Sequence, residues 1–118
     1  MAFYNFEDLE VWKRGRQQAV AVCELVETWR NFVLKDQMIR SAISVPSNIA
    51  EGQERDSPGE FVRFLRIAKG SNGELRTQFY IAGDIGLIEE DVKTFHIAES
   101  EEISRMIQGL VRAIKPET

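Results

Sequence analysis

Apolar residues recur at three- and four-residue steps along most of the chain, and no segment alternates apolar and polar residues long enough to form a strand. This spacing is typical of amphipathic helices. The stripe of the first segment consists of Leu9, Trp12, Ala19, Cys23 and Val26, with Val22, Trp29 and Val33 beside it and Arg16 and Arg30 interrupting it. The pattern predicts a first helix whose core face includes Cys23.

The second segment is predicted to form one helix despite an interior proline. At about 100° per residue, one face collects Met38, Ile39, Ala42, Ile43, Pro46, Ile49 and Ala50. The opposite face collects Arg40, Ser44, Ser47, Asn48, Glu51 and Arg55. Pro46 removes a backbone hydrogen bond and costs about 3 kcal/mol, but the pattern continues in phase past it. We therefore expect a single kinked amphipathic helix here.

The third segment has the clearest helix start in the chain. Ser57 is placed to cap the helix, Pro58 suits the first helical position, and Glu60 completes a capping box. The apolar stripe that follows comprises Phe61, Phe64, Leu65, Ala68, Leu75, Phe79 and Ala82. Three glycines, Gly70, Gly73 and Gly83, each cost about 1 kcal/mol of helix propensity. Such a cost is accepted where a partner helix approaches closely, so we expect close approaches at these positions.

The fourth segment completes an all-α chain. Gly86 suits the end of the third helix, and Glu89, Glu90 and Asp91 place acidic groups at the start of the next one. Its apolar positions are Val92, Phe95, Ile103, Met106, Ile107, Leu110 and Ile114. Because the connections are short, successive helices are expected to be antiparallel neighbours. The prediction is an up-and-down four-helix bundle in one domain of 118 residues.

Composition narrows the classes of function. The chain has 15 basic and 19 acidic residues, a net charge of -4 that does not favour nucleic acid. Cys23 is the only cysteine, so no intramolecular disulfide can form. The N-terminal residues lack the basic start and apolar run of a signal peptide, and no apolar run is long enough to span a membrane. We expect a cytoplasmic protein without a membrane partner.

A family resemblance rests on the run Ser-Val-Pro-Ser-Asn-Ile-Ala-Glu-Gly at 44–52. This run resembles the signature of the bacterial four-helix-bundle family that is encoded, among other places, in intervening sequences of large-subunit ribosomal RNA genes. Further matching segments are 6–9, 11–12, 37–42, 60–61, 63–65, 67–71 and 74–75. The resemblance covers most of residues 6–86, whereas the fourth helix matches only in its general pattern.

The resemblance implies a left-handed four-helix bundle, homopentameric assembly and no known enzymatic activity. A related branch is similar to the accessory protein of diversity-generating retroelements, a basic pentameric barrel that binds a reverse transcriptase and nucleic acid. This chain departs from that branch because it is acidic overall and has Asn72 and Gly73 where larger residues are expected. The departure affects the expected ligand and leaves the expected fold unchanged.

Two polar stripes are the candidate interaction surfaces. The first, on the second helix, consists of Arg40, Ser44, Asn48, Glu51 and Arg55. It is either a solvated face with local ion pairs or a subunit interface. Because the family resemblance centres on Asn48 and Glu51, the favoured interpretation is an interface, or a buried polar network that supports one.

The second stripe lies on the third helix and consists of Arg63, Arg66, Lys69, Arg76 and Tyr80. An ordinary basic helix surface is the simpler interpretation. The alternative is a partner surface that, repeated around a ring, concentrates positive charge along a phosphate backbone, with Tyr80 available for stacking. Glu74 and Asp84 on the same helix weaken that alternative.

Catalysis and cofactors are not expected. His96 is the only histidine, with Glu99 after it, and metal sites in four-helix bundles need pairs of Glu-x-x-His motifs, so a surface histidine is predicted. Cys23 is expected to be inert in the core. The leading hypothesis is a non-catalytic homo-oligomer, a pentamer by resemblance, that presents a surface to an unidentified protein partner. The alternatives are a ring binding RNA or DNA and, more weakly, an enzyme with a site between subunits.

Overall fold

The computed structural model describes residues 5–114, and every regular element in that range is helical. A short 3-10 turn precedes four α-helices: Phe6–Asp8, then α1 Glu10–Leu25, α2 Phe32–Glu54, α3 Pro58–Asp84 and α4 Glu90–Ile114. Residues 1–4, which belong to the N-terminal segment assessed for a signal peptide, lie outside the described range.

The four helices form an elongated bundle of about 47 × 21 × 20 Å. Each helix packs against its neighbours in sequence, and α4 returns to contact α1. The diagonal pairs, α1 with α3 and α2 with α4, do not pack together. Together with the short connections, this arrangement confirms the predicted all-α four-helix bundle with up-and-down order.

Capping groups explain where the helices begin and end. The Ser57 hydroxyl accepts a hydrogen bond from the backbone N–H of Glu60 at 3.4 Å, and Pro58 occupies the first helical position, as predicted. The Asn31 side chain caps α2 in the same way, accepting from the N–H of Leu34 at 3.1 Å. Gly86 follows α3 with a φ of 77°, a conformation that favours glycine.

Helix α2 runs without interruption through Pro46, which confirms one helix in place of two. Pro46 is buried, and its ring lies against α1 at Gly15, where an added Cβ would stand 3.6 Å from the proline Cδ. The glycine thus gives room for the proline, and the ring contributes to α1–α2 packing.

The core consists of two apolar clusters with a polar layer between them. The first cluster lies towards the α2–α3 connection and includes Val45, Ile49, Phe61, Leu65, Ala68, Ile103, Ile107 and Val111. The second lies towards the opposite end and includes Ala19, Val22, Val26, Met38, Ala42, Leu75, Phe79 and Ala82. Between them lie buried polar residues from all four helices: Gln18, Ser41, Ser71, Asn72, His96 and Ser100. We call this set the polar layer.

Several side chains that were predicted to face the core, or to lie beside the core face, are exposed. Cys23 is exposed, because α1 packs through Ala19, Val22 and Val26, and Cys23 projects beside that stripe. Ile43, Val33 and Phe95 were placed on or beside apolar faces but are 46%, 77% and 65% exposed.

His96 of α4 differs in the opposite sense. It was predicted on the surface, yet it is buried, as is the neighbouring Ile97. At this level α4 contributes His96 and Ser100 to the polar layer, so its inward face does not follow the apolar pattern. Hydrophobicity alone therefore assigned the wrong face to this turn.

Candidate interaction surfaces

A groove between α2 and α3 contains the upper half of the predicted interface stripe. Its volume is about 590 Å³, and it is open to solvent along the bundle. The lining residues are Gln37, Ile39, Arg40, Ser41, Ile43, Ser44, Ser47, Asn48, Ser71 and Glu74. Three of the five predicted interface residues, Arg40, Ser44 and Asn48, thus share one surface with the exposed side chain of Ile43. We call this surface the α2–α3 groove.

Hydrogen bonds fix the polar wall of the α2–α3 groove. The hydroxyls of Ser44 and Ser71 are 2.8 Å apart and join the two helices. Asn48 donates from Nδ2 to the backbone carbonyl and the hydroxyl of Ser44, both at 2.8 Å. The Nδ2 group of Asn48 is thus engaged on α2, and the residue lines the groove.

The lower half of the stripe belongs to a separate ion-pair cluster at the α2–α3 connection. Arg55 contacts Glu51 at 2.9 Å and Glu60 at 3.5 Å, and Arg63 contacts Glu60 at 2.9 Å. Both guanidinium groups lie over the Phe64 ring, at 4.9 and 4.5 Å from its centroid. The hydrogen bond from Arg63 lowers the pKa of the Glu60 carboxyl. Glu51 and Arg55 are thus paired within the chain, as is Arg40 with Asp36 at 3.1 Å.

The basic stripe of α3 divides in a similar way. Arg63 belongs to the ion-pair cluster, and Arg76 donates from Nε to the Ser100 hydroxyl at 3.0 Å. Tyr80 is 47% exposed and has the ammonium of Lys93 at 5.8 Å from its ring centroid. Arg66 and Lys69 form no ion pair with any acidic side chain in the described range. They are the members of this stripe whose charge is uncompensated by a direct contact.

The glycines of α3 have different surroundings. An added Cβ at Gly83 would collide with the stem of Lys93 on α4, which confirms the predicted close approach there. At Gly70 and Gly73 no described atom lies within 4 Å of an added Cβ, so the close approach expected at these two positions does not occur within the chain. Both glycines leave flat, open places on the outer surface of α3.

The polar layer contains a hydrogen-bond network that the sequence patterns did not reveal. Asn72 donates from Nδ2 to the backbone carbonyl of Ser100 at 2.7 Å, and the Ser100 hydroxyl lies 3.0 Å from Asn72 Oδ1. Both side chains are fully buried, and Arg76 donates to the same hydroxyl. One feature of the sequence could have predicted this network. Asn72 falls in phase with the apolar stripe of α3, and a buried polar side chain there needs a hydrogen-bond partner.

The seam between α1 and α4 carries the other part of the polar layer. Arg14 binds Glu99 through two hydrogen bonds of 2.6 and 3.0 Å, and this contact raises the pKa of Arg14. Gln18 donates to the backbone carbonyl of His96 at 3.2 Å and lies 3.4 Å from the ring atom Nδ1. Burial lowers the pKa of His96, opposed in part by Glu99.

Among residues 5–114, no group of three or more His, Cys, Asp or Glu side chains could hold a metal ion. Cys23 is exposed on α1 and does not line the cleft that contains His96. Within residues 5–114, no helix combines the length and apolar character needed to cross a membrane.

Fold and surface together define a small helical-bundle protein with a polar groove and a buried polar layer. The family model for 23S rRNA-intervening sequence proteins matches residues 7–109, and the chain belongs to this family. The match confirms the resemblance and extends it through most of α4.

A solved structure shows the same fold at low sequence identity. It is the crystal structure of a protein of unknown function from the S23 ribosomal protein family of Bacteroides thetaiotaomicron. It shares 23% identity and aligns with a TM-score of 0.81 over 86% of this chain and 98% of that chain. A search of the curated proteins finds no match.

Proposed function

We propose that the protein is a non-catalytic scaffold that assembles with copies of itself through the α2–α3 groove and presents its outer surface to a protein partner. The observation that carries this proposal is the composition of the groove. It combines an exposed apolar side chain, Ile43, with the hydrogen-bonded polar side chains of Ser44, Asn48 and Ser71 in one cleft between two helices. Ile67, one helical turn before the groove residue Ser71 on α3, is 41% exposed and adds to the apolar surface of that helix.

Assembly is favoured over an isolated monomer by the amount of apolar surface that the described chain leaves in water. The exposed large apolar residues are Val20, Phe32, Val33, Ile43, Ile67, Tyr80, Ile81, Ile85 and Phe95. Single exposed apolar residues are ordinary, but the α2–α3 groove contains two apolar side chains, Ile39 and Ile43, with polar groups around them. Apolar contacts surrounded by a polar rim are typical of an interface. The family resemblance supports a ring of five subunits.

Charge insertion into the groove tests this proposal. Ile43→Glu places a carboxylate where the next subunit would pack, so the oligomer is expected to dissociate. Val20→Glu is the matched control, because Val20 is 52% exposed on α1 and does not line the groove. Solution mass is measured by light scattering, with helix content checked by circular dichroism. An oligomer that survives Ile43→Glu as fully as Val20→Glu would contradict the role of the groove.

The second candidate function is binding of RNA or DNA along α3. The observation that favours it is that Arg66 and Lys69 carry charges without a described ion-pair partner, next to the open position at Gly73. A backbone phosphate could approach closely at such a glycine. The net charge of -4 argues against this function, so the binding would depend on local charge alone.

Charge reversal combined with salt dependence separates the two candidates. Arg66→Glu with Lys69→Glu should abolish retention of a single-stranded oligonucleotide, and retention by the unmodified protein should weaken steeply as salt rises. Lys13→Glu with Arg105→Glu is the control, since it changes the net charge equally at exposed sites on α1 and α4. Equal loss in both double variants would indicate a nonspecific effect of net charge and remove α3 as the binding surface.

A further inference from the structure

The hydrogen bond between Gln18 and His96 has a defined donor and a defined acceptor. The Gln18 amide nitrogen lies 3.2 Å from the backbone carbonyl of His96 and 3.4 Å from the ring atom Nδ1. A carbonyl oxygen can only accept, so the amide nitrogen must face it. Turning the amide over would place Oε1 against that carbonyl. The orientation of Gln18 is therefore fixed, and Nδ1 of His96 has to act as an acceptor.

This direction of the hydrogen bond selects one protonation state and one tautomer of the imidazole. With Nδ1 accepting, the ring is neutral and carries its proton on Nε2. The ring also lies flat against Phe79 of α3, with centroids 4.6 Å apart and an interplanar angle of 3°. Phe95 meets its edge at 5.2 Å. A second proton would have to bind at Nδ1, where it would face the N–H of Gln18 and convert the contact into two opposed donors.

The charged groups around the ring do not supply another acceptor for that proton. On α1, Arg14 is positive and paired with Glu99 of α4, so the nearest carboxylate is already engaged. On α3, the ring meets Phe79, while Arg76 is bound to Ser100. On α4, Lys93 pairs with Glu90 at 3.3 Å. Helix α2 does not pack against α4. The ring borders a cleft of about 320 Å³ lined by Arg14, Gln17, Gln18, Ala21, Phe95, His96 and Glu99.

We propose that Gln18 and His96 form an acid-sensitive latch: protonation of His96 at Nδ1 releases α4 from α1 along the cleft, while the other three helix interfaces stay closed. The α1–α4 pair is the least extensively packed of the four adjacent pairs, so this seam opens first. Burial lowers the pKa of His96 below its ordinary value of 6.5. The seam is therefore fully stable above about pH 6.5, and that stability is lost as pH falls through the lower, folded-state pKa.

Hydrogen–deuterium exchange measured at about pH 7.5 and about pH 5, corrected for intrinsic rates, locates the opening. The latch predicts faster exchange on acidification in the segments of α1 and α4 that flank the cleft, without a matching change in α2. The expected acceleration is about tenfold for each pH unit that separates the pKa of His96 in the closed and open seam. Unchanged exchange along the seam at acidic pH would overturn the proposal.

Two substitutions test whether the direction of the hydrogen bond between Gln18 and His96 controls the seam. Gln18→Glu offers an acceptor to protonated Nδ1, so the pKa of His96, followed by NMR of the ring, should rise and the seam should be better protected at acidic than at neutral pH. Gln17→Glu is the matched control, because it adds the same charge in the same cleft without contacting Nδ1. In the control, as in the unmodified protein, exchange along the seam should be faster at acidic than at neutral pH. The same reversal in both variants would show a general charge effect and overturn the latch.

His96→Phe removes the titration and keeps an aromatic ring against Phe79. Acid-induced exchange along the seam should disappear in this variant, and its persistence would contradict the assignment to His96. If His96→Phe does not fold, the decision rests on the ring pKa and on the opposite responses of the two glutamate variants. Solution mass is recorded at both pH values, and a change in assembly without opening of the seam would also count against the latch.

Discussion

At the residue scale, Gly52 is the position where the signature run is most tightly constrained. An added Cβ there would stand 2.6 Å from Cβ of Phe64 and 3.2 Å from the Phe61 ring. Neither neighbour can give way easily, because both are buried in the first apolar cluster or at its edge. The glycine of the signature therefore serves the packing of α2 on α3.

The contrast between two glycines gives a prediction. Gly52→Ala should lower the free energy of unfolding by about 1–3 kcal/mol through overpacking. Gly70→Ala should raise it by about 0.5–1 kcal/mol, because the site is open and alanine favours helix. Urea denaturation of both variants checks this. Equal effects of the two substitutions would contradict the packing described for α2 and α3.

The buried asparagine gives a second prediction at this scale. Ser100→Ala leaves Oδ1 of Asn72 buried without its hydroxyl partner and should lower the free energy of unfolding by about 1–3 kcal/mol. Ser47→Ala is the control, since Ser47 is exposed on α2 and the same change there should have almost no effect. Chemical denaturation measures both. A neutral Ser100→Ala would show that the network in the polar layer adds little stability.

At the element scale, the start of α3 is set by its cap. Ser57→Ala removes the hydroxyl that accepts from the N–H of Glu60 and should lower the free energy of unfolding by about 1 kcal/mol. The loss should be recovered in large part by Ser57→Asp, which also caps and adds favourable negative charge at the helix start. Thermal unfolding followed by circular dichroism compares the variants. Failure of aspartate to restore stability would argue against capping as the cause.

The sequence predicted the four helices, because their apolar periodicity and their caps are local properties. The single α2 helix through Pro46 and the start at Ser57 followed from phase and from capping chemistry. The polar layer could not be predicted, since it depends on which polar residues of distant segments meet. His96 and Asn72 were therefore missed, and Cys23 and Phe95 were assigned to the wrong side of their helices.

The candidate site was predicted only in part, for the same reason. The spacing of the α2 stripe brought Arg40, Ser44 and Asn48 together correctly. It could not show that Arg55, besides pairing with Glu51 on α2, also pairs with Glu60 across the α2–α3 connection. Much of the signature run is also explained by packing within the chain. Its buried members, such as Ile49 and Gly52, are needed by the bundle whether or not the protein assembles.

At the scale of the whole molecule, the bundle is held together by different contacts in different places. The first cluster joins all four helices near the α2–α3 connection, whereas the α1–α4 seam is held largely by the contacts of Arg14 and Gln18. The bundle thus has one edge that is more polar and less packed than the others. This edge lies on the side of the bundle opposite the α2–α3 groove.

The most direct test of the proposed scaffold is the absolute solution mass of the unmodified protein, measured by light scattering at low and high salt. Assembly through apolar contacts in the α2–α3 groove predicts a salt-resistant mass near five times the 13.5 kDa of one chain, free of absorbance from nucleic acid. A mass of 13.5 kDa at both salt concentrations would contradict self-assembly and leave the groove without its proposed occupant.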